Sequence, residues 1–372
     1  MCRVLASVVF LACMQATPAL AQSSAVATEL NTGARSYAHF KDDYHVEISD
    51  PVDEFAIPIK LERPTFPMYE MRRGRQGWVS VNYLVGPDGR VVDPFIEDSS
   101  GSEPFEEAVL ATIRDWRFEP VTGGSKQWHT NRIISFVFDT NFVHVNKRFF
   151  YFYRDIDRLI EDGNLDEAHD LIENALATMD PSAFELAKIW IAKGRIAAAR
   201  GDTGEHLRCF LKAGIADGHF LDPSDYPRVL ARIVKLQLEL GEFSAALENY
   251  NKLSNMNTGK RLVSELRPTV RRVEDLIASN KTLAITGHLG ADSSCETCGA
   301  YWSYRPVRDT FAIDSVSGSV DRIEVRCDTV QQQIDFGPNS TWSIPNQKGN
   351  CSIRVFGDEG TVFRLLEKSH RS

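Results

Sequence analysis

A chain of 372 residues is longer than one ordinary domain and implies roughly two or three folded units. Hydrophobic residues make up 43% and charged residues 25%, the balance of a folded protein rather than a disordered one. The net charge of -9, with no basic stripe interleaved with aromatics, excludes nucleic acid as the partner.

At the start, Met1-Cys2-Arg3 carries one positive charge, Val4 to Ala12 is apolar, and Ala19-Leu20-Ala21 is a small-residue cleavage pattern. Residues 1–21 therefore read as a secretory signal peptide cut before Gln22. The apolar run is shorter than the ~20 residues that span a bilayer. Plain secretion is thus preferred over retention in the inner membrane, and over a lipid anchor through Cys13, because Phe10 stands where a lipoprotein box wants Leu. Residues 22–61 show little periodicity and are expected to be a linker.

From residue 62 the pattern sharpens. Arg63-Pro64-Thr65-Phe66-Pro67-Met68-Tyr69 leads through Gly74-Arg75-Gln76-Gly77 into a strand in which Val79, Val81, Tyr83 and Val85 alternate with Ser80, Asn82 and Leu84. Gly86-Pro87-Asp88-Gly89 supplies a turn, and Arg90 to Glu97 returns as the second strand of a hairpin. After Asp98-Ser99-Ser100-Gly101, Ser102 is a suitable N-cap. Phe105, Ala108, Val109, Ile113 and Trp116 then follow at helical spacing. Trp116-Arg117-Phe118-Glu119-Pro120 and a β-branched strand from Ile133 to Phe138 close the unit, with Tyr83, Trp116 and Phe118 expected in its core.

This order of motifs, at residues 62–142, resembles the C-terminal domain of TonB-family proteins. The resemblance implies a βαβ fold whose last strand lies at a sheet edge and accepts an extended segment of an outer-membrane TonB-dependent receptor. Carried onto this chain, Arg132, Ile133, Ile134, Ser135, Phe136 and Val137 are the expected docking strand. Gln76 stands where the family usually has Glu. The membrane helix and long Pro/Lys-rich spacer of a TonB energy transducer are not recognised upstream. The resemblance therefore implies recognition of a partner more directly than transmission of force.

Residues 148–280 change to helical periodicity. Gly163-Asn164-Leu165-Asp166-Glu167-Ala168, Gly201-Asp202-Thr203-Gly204-Glu205-His206 and Gly241-Glu242-Phe243-Ser244-Ala245-Ala246 recur 38 and 40 residues apart. They resemble degenerate tetratricopeptide repeats, with spacing longer than the usual ~34 and with no Ala in the second copy. Such a stack implies a scaffold for protein partners, or a plain helical region packed only on its neighbours.

Residues 281–372 read as a small all-β domain: Thr282 to Thr286, Arg308 to Ile313, Arg322 to Arg326, Gln332 to Phe336, Cys351 to Phe356 and Thr361 to Leu366 are short β-like runs. Cys295, Cys298, Cys327 and Cys351 are expected to form two disulfides in any of three connectivities, with a four-thiolate zinc site as the rival arrangement. Cys209, alone in a helical segment, is expected to be a buried thiol.

No nucleophile elbow, Walker loop, zincin helix or Rossmann fingerprint occurs, and the nine histidines are dispersed. The expectation is therefore an α+β multidomain protein of the periplasm. It is expected to be non-enzymatic, without cofactor or metal, and to bind protein partners.

Overall fold

The computed structural model describes residues 44–48, 57–120, 129–140, 147–179, 181–291, 300–327, 331–344 and 351–369, all within one compact unit, Lys41–Ser372. The expected signal segment, Cys13, Cys295 and Cys298 lie outside the described residues.

The first region is a sheet backed by a helix. Strands β3 (Gly77–Val85) and β4 (Val91–Ser99) form the expected hairpin, and β6 (His129–Thr140) pairs antiparallel with β3 on its other side. The turn between β3 and β4 demands its last glycine. Gly89 sits at φ +76, and a Cβ there would lie 2.0 Å from the Phe118 carbonyl oxygen. A short helix, α1 (Met68–Arg72), precedes the hairpin, and α2 (Glu103–Arg114) follows it.

Helix α2 turns Phe105, Val109 and Ile113 onto Val79, Val81, Tyr83 and Val85, with Trp116, Phe118, Phe136 and Phe138 filling the remaining space. All of these aromatics are buried, as the alternating pattern required, and the Phe105 and Phe138 rings stack at 4.2 Å. Ser102 occupies the N-cap position of α2, but its side chain makes no capping hydrogen bond.

Two strands arise where a linker was expected. Strand β1 (Tyr44–Ile48) pairs with β6, giving a sheet order of β1-β6-β3-β4, and β2 (Pro58–Lys60) pairs with β5 (Arg117–Phe118). Their pairing partners are remote in sequence, so only the folded chain brings them into a sheet.

The second region consists of helical hairpins: α3 (Lys147–Glu161) with α4 (Leu165–Thr178), α5 (Ala183–Arg200) with α6 (Thr203–Ala213), and α7 (Tyr226–Leu240) with α8 (Phe243–Ser254), closed by α9 (Lys260–Ala278). The three recurrent phrases are the three interhelical turns. Gly163, Gly201 and Gly241 take φ values of 78°, 78° and 79°, the left-handed conformation that ends a helix without a Cβ penalty. Five residues after each glycine come Ala168, His206 and Ala246, all buried at the helix contact. In the second hairpin the imidazole takes the alanine position and meets Phe210 edge-on at 5.0 Å.

The third region is a two-sheet sandwich. Its sheets run β13-β10-β15-β7 and β12-β11-β14-β9-β8, over β7 (Leu283–His288), β8 (Gly290–Ala291), β9 (Ala300–Tyr304), β10 (Thr310–Ser317), β11 (Val320–Arg326), β12 (Gln331–Asp335), β13 (Thr341–Ser343), β14 (Ser352–Gly357) and β15 (Val362–Lys368). Cys327 and Cys351 are joined by a disulfide between the end of β11 and the start of β14. A four-thiolate zinc site is thereby excluded, because two of its four ligands are consumed.

Arg308 anchors the sandwich to the helices. Its guanidinium donates to the carbonyls of Leu276, Ile277, Ser279 and Lys281, capping the C-terminus of α9. The fully buried Glu367 carboxylate accepts the Tyr304 hydroxyl at 2.6 Å and the Val307 and Arg308 backbone amides.

Several buried polar atoms are left unmatched among the described residues, and Asn82 is the residue with two of them. Asn82, in the middle of β3, is completely buried, and neither carboxamide atom has a hydrogen-bond partner among the described residues. Asn82→Leu should therefore raise stability by about 1–2 kcal/mol in urea unfolding, because the desolvation cost of the amide is removed. Asn82→Asp, which buries an unpaired charge, should lower it by about 3 kcal/mol or more.

Candidate functional site

The sequence placed the site on β6, and the sheet explains both why this strand qualifies and how much of it is open. Register with β3 runs from Gly77↔Phe138 to Val85↔His129, so Phe136 and Phe138 point into the α2 core while Val137 faces the opposite way. On that opposite face Val137 and Trp78 enter a second core built from the helical region, with Leu207, Phe210, Ala183 and Ala187 among its members. Phe136, Val137 and Phe138 thus commit the C-terminal half of β6 to the two cores.

Strand β1 occupies part of the side of β6 away from β3. It lies antiparallel along β6 with Tyr44 opposite Thr140 and Ile48 opposite Phe136, and Val46 is buried in the first core. The expected docking set therefore divides. Arg132, Ile133, Ile134 and Ser135 pair with β3 alone among the described residues, whereas Phe136 and also Val137 are flanked by strands on both sides. Among the described residues, the first half of the strand is paired on one side and the second half on both. Sequence reasoning missed β1 because Tyr44, Val46 and Ile48 alternate with His45 and Glu47 over only five residues.

At the other end of the sheet, β4 is a poor acceptor of a further strand. It contains Pro94, and Asp93 sits at φ +46 among register shifts, both of which interrupt a continuous row of backbone donors. Phe95 of β4 lies under the Arg354 guanidinium of β14 at 5.5 Å, and Asp98 accepts from Lys212 of α6 at 2.8 Å.

A polar clasp holds the C-terminal end of β6. One Asp139 carboxylate oxygen accepts from Gln76 Nε2 at 2.5 Å, and the other meets His219 Nε2 at 2.6 Å. The clasp ties β6, the approach to β3 and the helical region at a single carboxylate. It also gives Gln76 a role. A glutamate there would set a second carboxylate against Asp139, whereas the amide donates to it.

The groups with chemical potential elsewhere are quiet. Cys209 is fully buried, its Sγ donates to Glu205 at 3.2 Å, and burial pushes its thiol up to about 12, as expected of an inert core cysteine. Burial and the nearby Arg232 hold the His206 imidazole below its ordinary value. Among the described residues no group of three or more His, Cys, Asp or Glu is placed to hold a metal ion. No helix among them is long and apolar enough to cross a membrane.

A hairpin, a helix and a returning strand form an α+β module. Comparison with known proteins agrees on the segment concerned. Residues 62–140 match the family model described as the Gram-negative bacterial TonB protein C-terminal, so the chain carries a TonB C-terminal domain. Protein TonB of Pseudomonas aeruginosa is 33% identical over 69 residues, 18% of this chain and 20% of that protein. Protein TonB of Yersinia enterocolitica is 36% identical over 59 residues, 16% of this chain and 23% of that protein. The chain thus spans about a fifth of the length of the curated relatives it matches. The solution structure of the Pseudomonas aeruginosa TonB C-terminal domain shares 24% identity, with a TM-score of 0.20, covering 27% of this chain and 98% of that one.

Gln76→Glu should lower stability by about 1–2 kcal/mol at neutral pH, since two carboxylates would share the Asp139 site. One of the pair is then pushed above its unfolded value, so the deficit shrinks as pH falls from about 7 towards about 4 and both groups become neutral. Denaturant unfolding of both proteins across that range is the measurement.

Proposed function

We propose that this chain is a non-enzymatic periplasmic adaptor associated with outer-membrane transport, which binds an extended segment of a partner protein by adding it as a strand to β6. The observation that carries this reading is the pairing of the chain's own β1 with the outer side of β6, five residues in antiparallel register. An edge that takes one extended segment has the geometry to take another. The blunted β4 directs any added strand to β6, and the sheet's second face, packed on helices and on Arg354, gives β6 a rigid backing. A TonB-dependent receptor of the outer membrane is the partner that the TonB C-terminal domain favours.

The helical hairpins support a second reading, as an envelope scaffold of tetratricopeptide type. A cleft of about 620 Å³ lies between α7 and α9, with Leu238, Leu262 and Leu266 on its floor and Arg228, Arg232 and Lys235 on its rim. Crosslinking in cells separates the two readings, because partners mapping to residues 228–273 rather than to β6 favour the scaffold. Sequencing the N-terminus of the mature chain tests the periplasmic assignment, for which a start at Gln22 is expected.

For the strand reading, amide shifts of the full chain titrated with extended peptides from TonB-dependent receptors should concentrate at Arg132 to Val137 and spare β4. Val46→Asp puts a carboxylate where Val46 is 5% exposed, which should release β1 and strengthen peptide binding several-fold. No shift along β6 in either protein refutes strand addition.

A further inference from the structure

Helix α3 carries a surface that neither its packing nor its own stability explains. The helix opens Lys147-Arg148-Phe149-Phe150-Tyr151-Phe152-Tyr153-Arg154. Phe149, Ile156 and Leu159 turn inward onto Ile172, Ile189 and Ile196, with Phe152 and Tyr153 packed at the margin. Phe150 and Tyr151 are left outside at 75% and 64% exposure, the two most exposed large hydrophobics of the described residues apart from Ile59 at 64%.

The same face is cationic along the helix until Glu161 at its C-terminal end. Lys147, Phe150, Tyr151, Arg154 and Arg158 recur at three- and four-residue steps, which sets them in one stripe along the helix. The Arg154 guanidinium lies 5.3 Å from the Tyr151 ring centroid. The first eight residues hold Lys147, Arg148 and Arg154 and no carboxylate, in a chain whose net charge is -9. Asp155 pairs with Arg158 at 3.6 Å, and Asp157 is turned away to Arg195.

Cations at a helix N-terminus oppose the helix dipole, so Lys147 and Arg148 work against the stability of α3. Two adjacent exposed aromatics work against solubility. Both features become favourable against a surface that is anionic outside and apolar beneath. We infer that the α3 stripe docks on the headgroup layer of an anionic lipid bilayer, with Phe150 and Tyr151 entering the interface and Lys147 and Arg154 facing lipid phosphates.

The aromatics form a ridge rather than a groove, which suits a deformable layer better than a protein surface that would need a matching cavity. Only seven chain steps separate Thr140, the end of β6, from Lys147. A bilayer under α3 would therefore hold the end of β6 within about 25 Å of it. The inference stands apart from strand addition at β6 and does not depend on it.

Co-sedimentation of the full chain with vesicles of phosphatidylglycerol and phosphatidylcholine in equal parts tests it, against vesicles of phosphatidylcholine alone. Binding is expected on the anionic vesicles only, and to weaken about tenfold or more as salt is raised from low to high. The double variant Lys147→Glu, Arg154→Glu should lose more than about twenty-fold. Phe150→Ser with Tyr151→Ser, at positions too exposed to disturb the fold, should lose about tenfold with unchanged circular dichroism. No sedimentation with anionic vesicles, or equal sedimentation of wild type and both variants, overturns the inference. So does binding of soluble poly-glutamate through α3 in the absence of vesicle binding, which would assign the stripe to an acidic protein instead.

Discussion

Strand β3 is buried at all nine positions, and the rest of the architecture depends on that two-sided burial. An antiparallel sheet commonly keeps one face for solvent. Here α2 covers one face through Phe105, Val109 and Ile113, while Trp78 and Val137 carry the other into the core of the helical hairpins. The sheet is thus a shared wall between two cores, and the hairpins cannot shift relative to β6 without opening one of them. The unpartnered amide of Asn82 lies on this wall, where a face patterned for alternation has become an interior.

The seam between helices and sandwich adds a helix cap to apolar packing. Phe243, Leu276 and Ile277 pack against the sandwich core there, and Arg308 closes the end of α9 through its main-chain carbonyls. A guanidinium meeting several carbonyls of a helix terminus neutralises a dipole end that a sheet edge could not satisfy. Apolar packing and polar contacts both occur at each seam, with a guanidinium cap on a helix end present only at the second among the described residues.

These supports narrow what β6 can do. Phe136 to Phe138 are engaged on both faces and β3 is paired along one side, and β1 takes the half of the outer side nearest the Asp139 clasp. Recognition through backbone is tolerant of side-chain identity, so affinity would come from register and from how readily β1 yields. Among the described residues the TonB C-terminal domain is therefore backed by the helical hairpins.

Much of this was legible in the residues because it is local. Alternation in Val79 to Val85 determined β3, the helical spacing of Phe105 to Trp116 determined α2, and the three recurrent glycine phrases marked the three turns, since only glycine enters the left-handed conformation at no cost. The family pattern at residues 62–140 was readable for the same reason. What the tertiary structure alone decided is who neighbours whom. The place of Tyr44–Ile48 beside β6, the covering of the sheet's second face, the bond between Cys327 and Cys351, and the meeting of Gln76, Asp139 and His219 all join residues distant in sequence. Periodicity reports which side of an element is apolar, not which partner will cover it, and so the extent of the open edge on β6 could be read only from the folded chain.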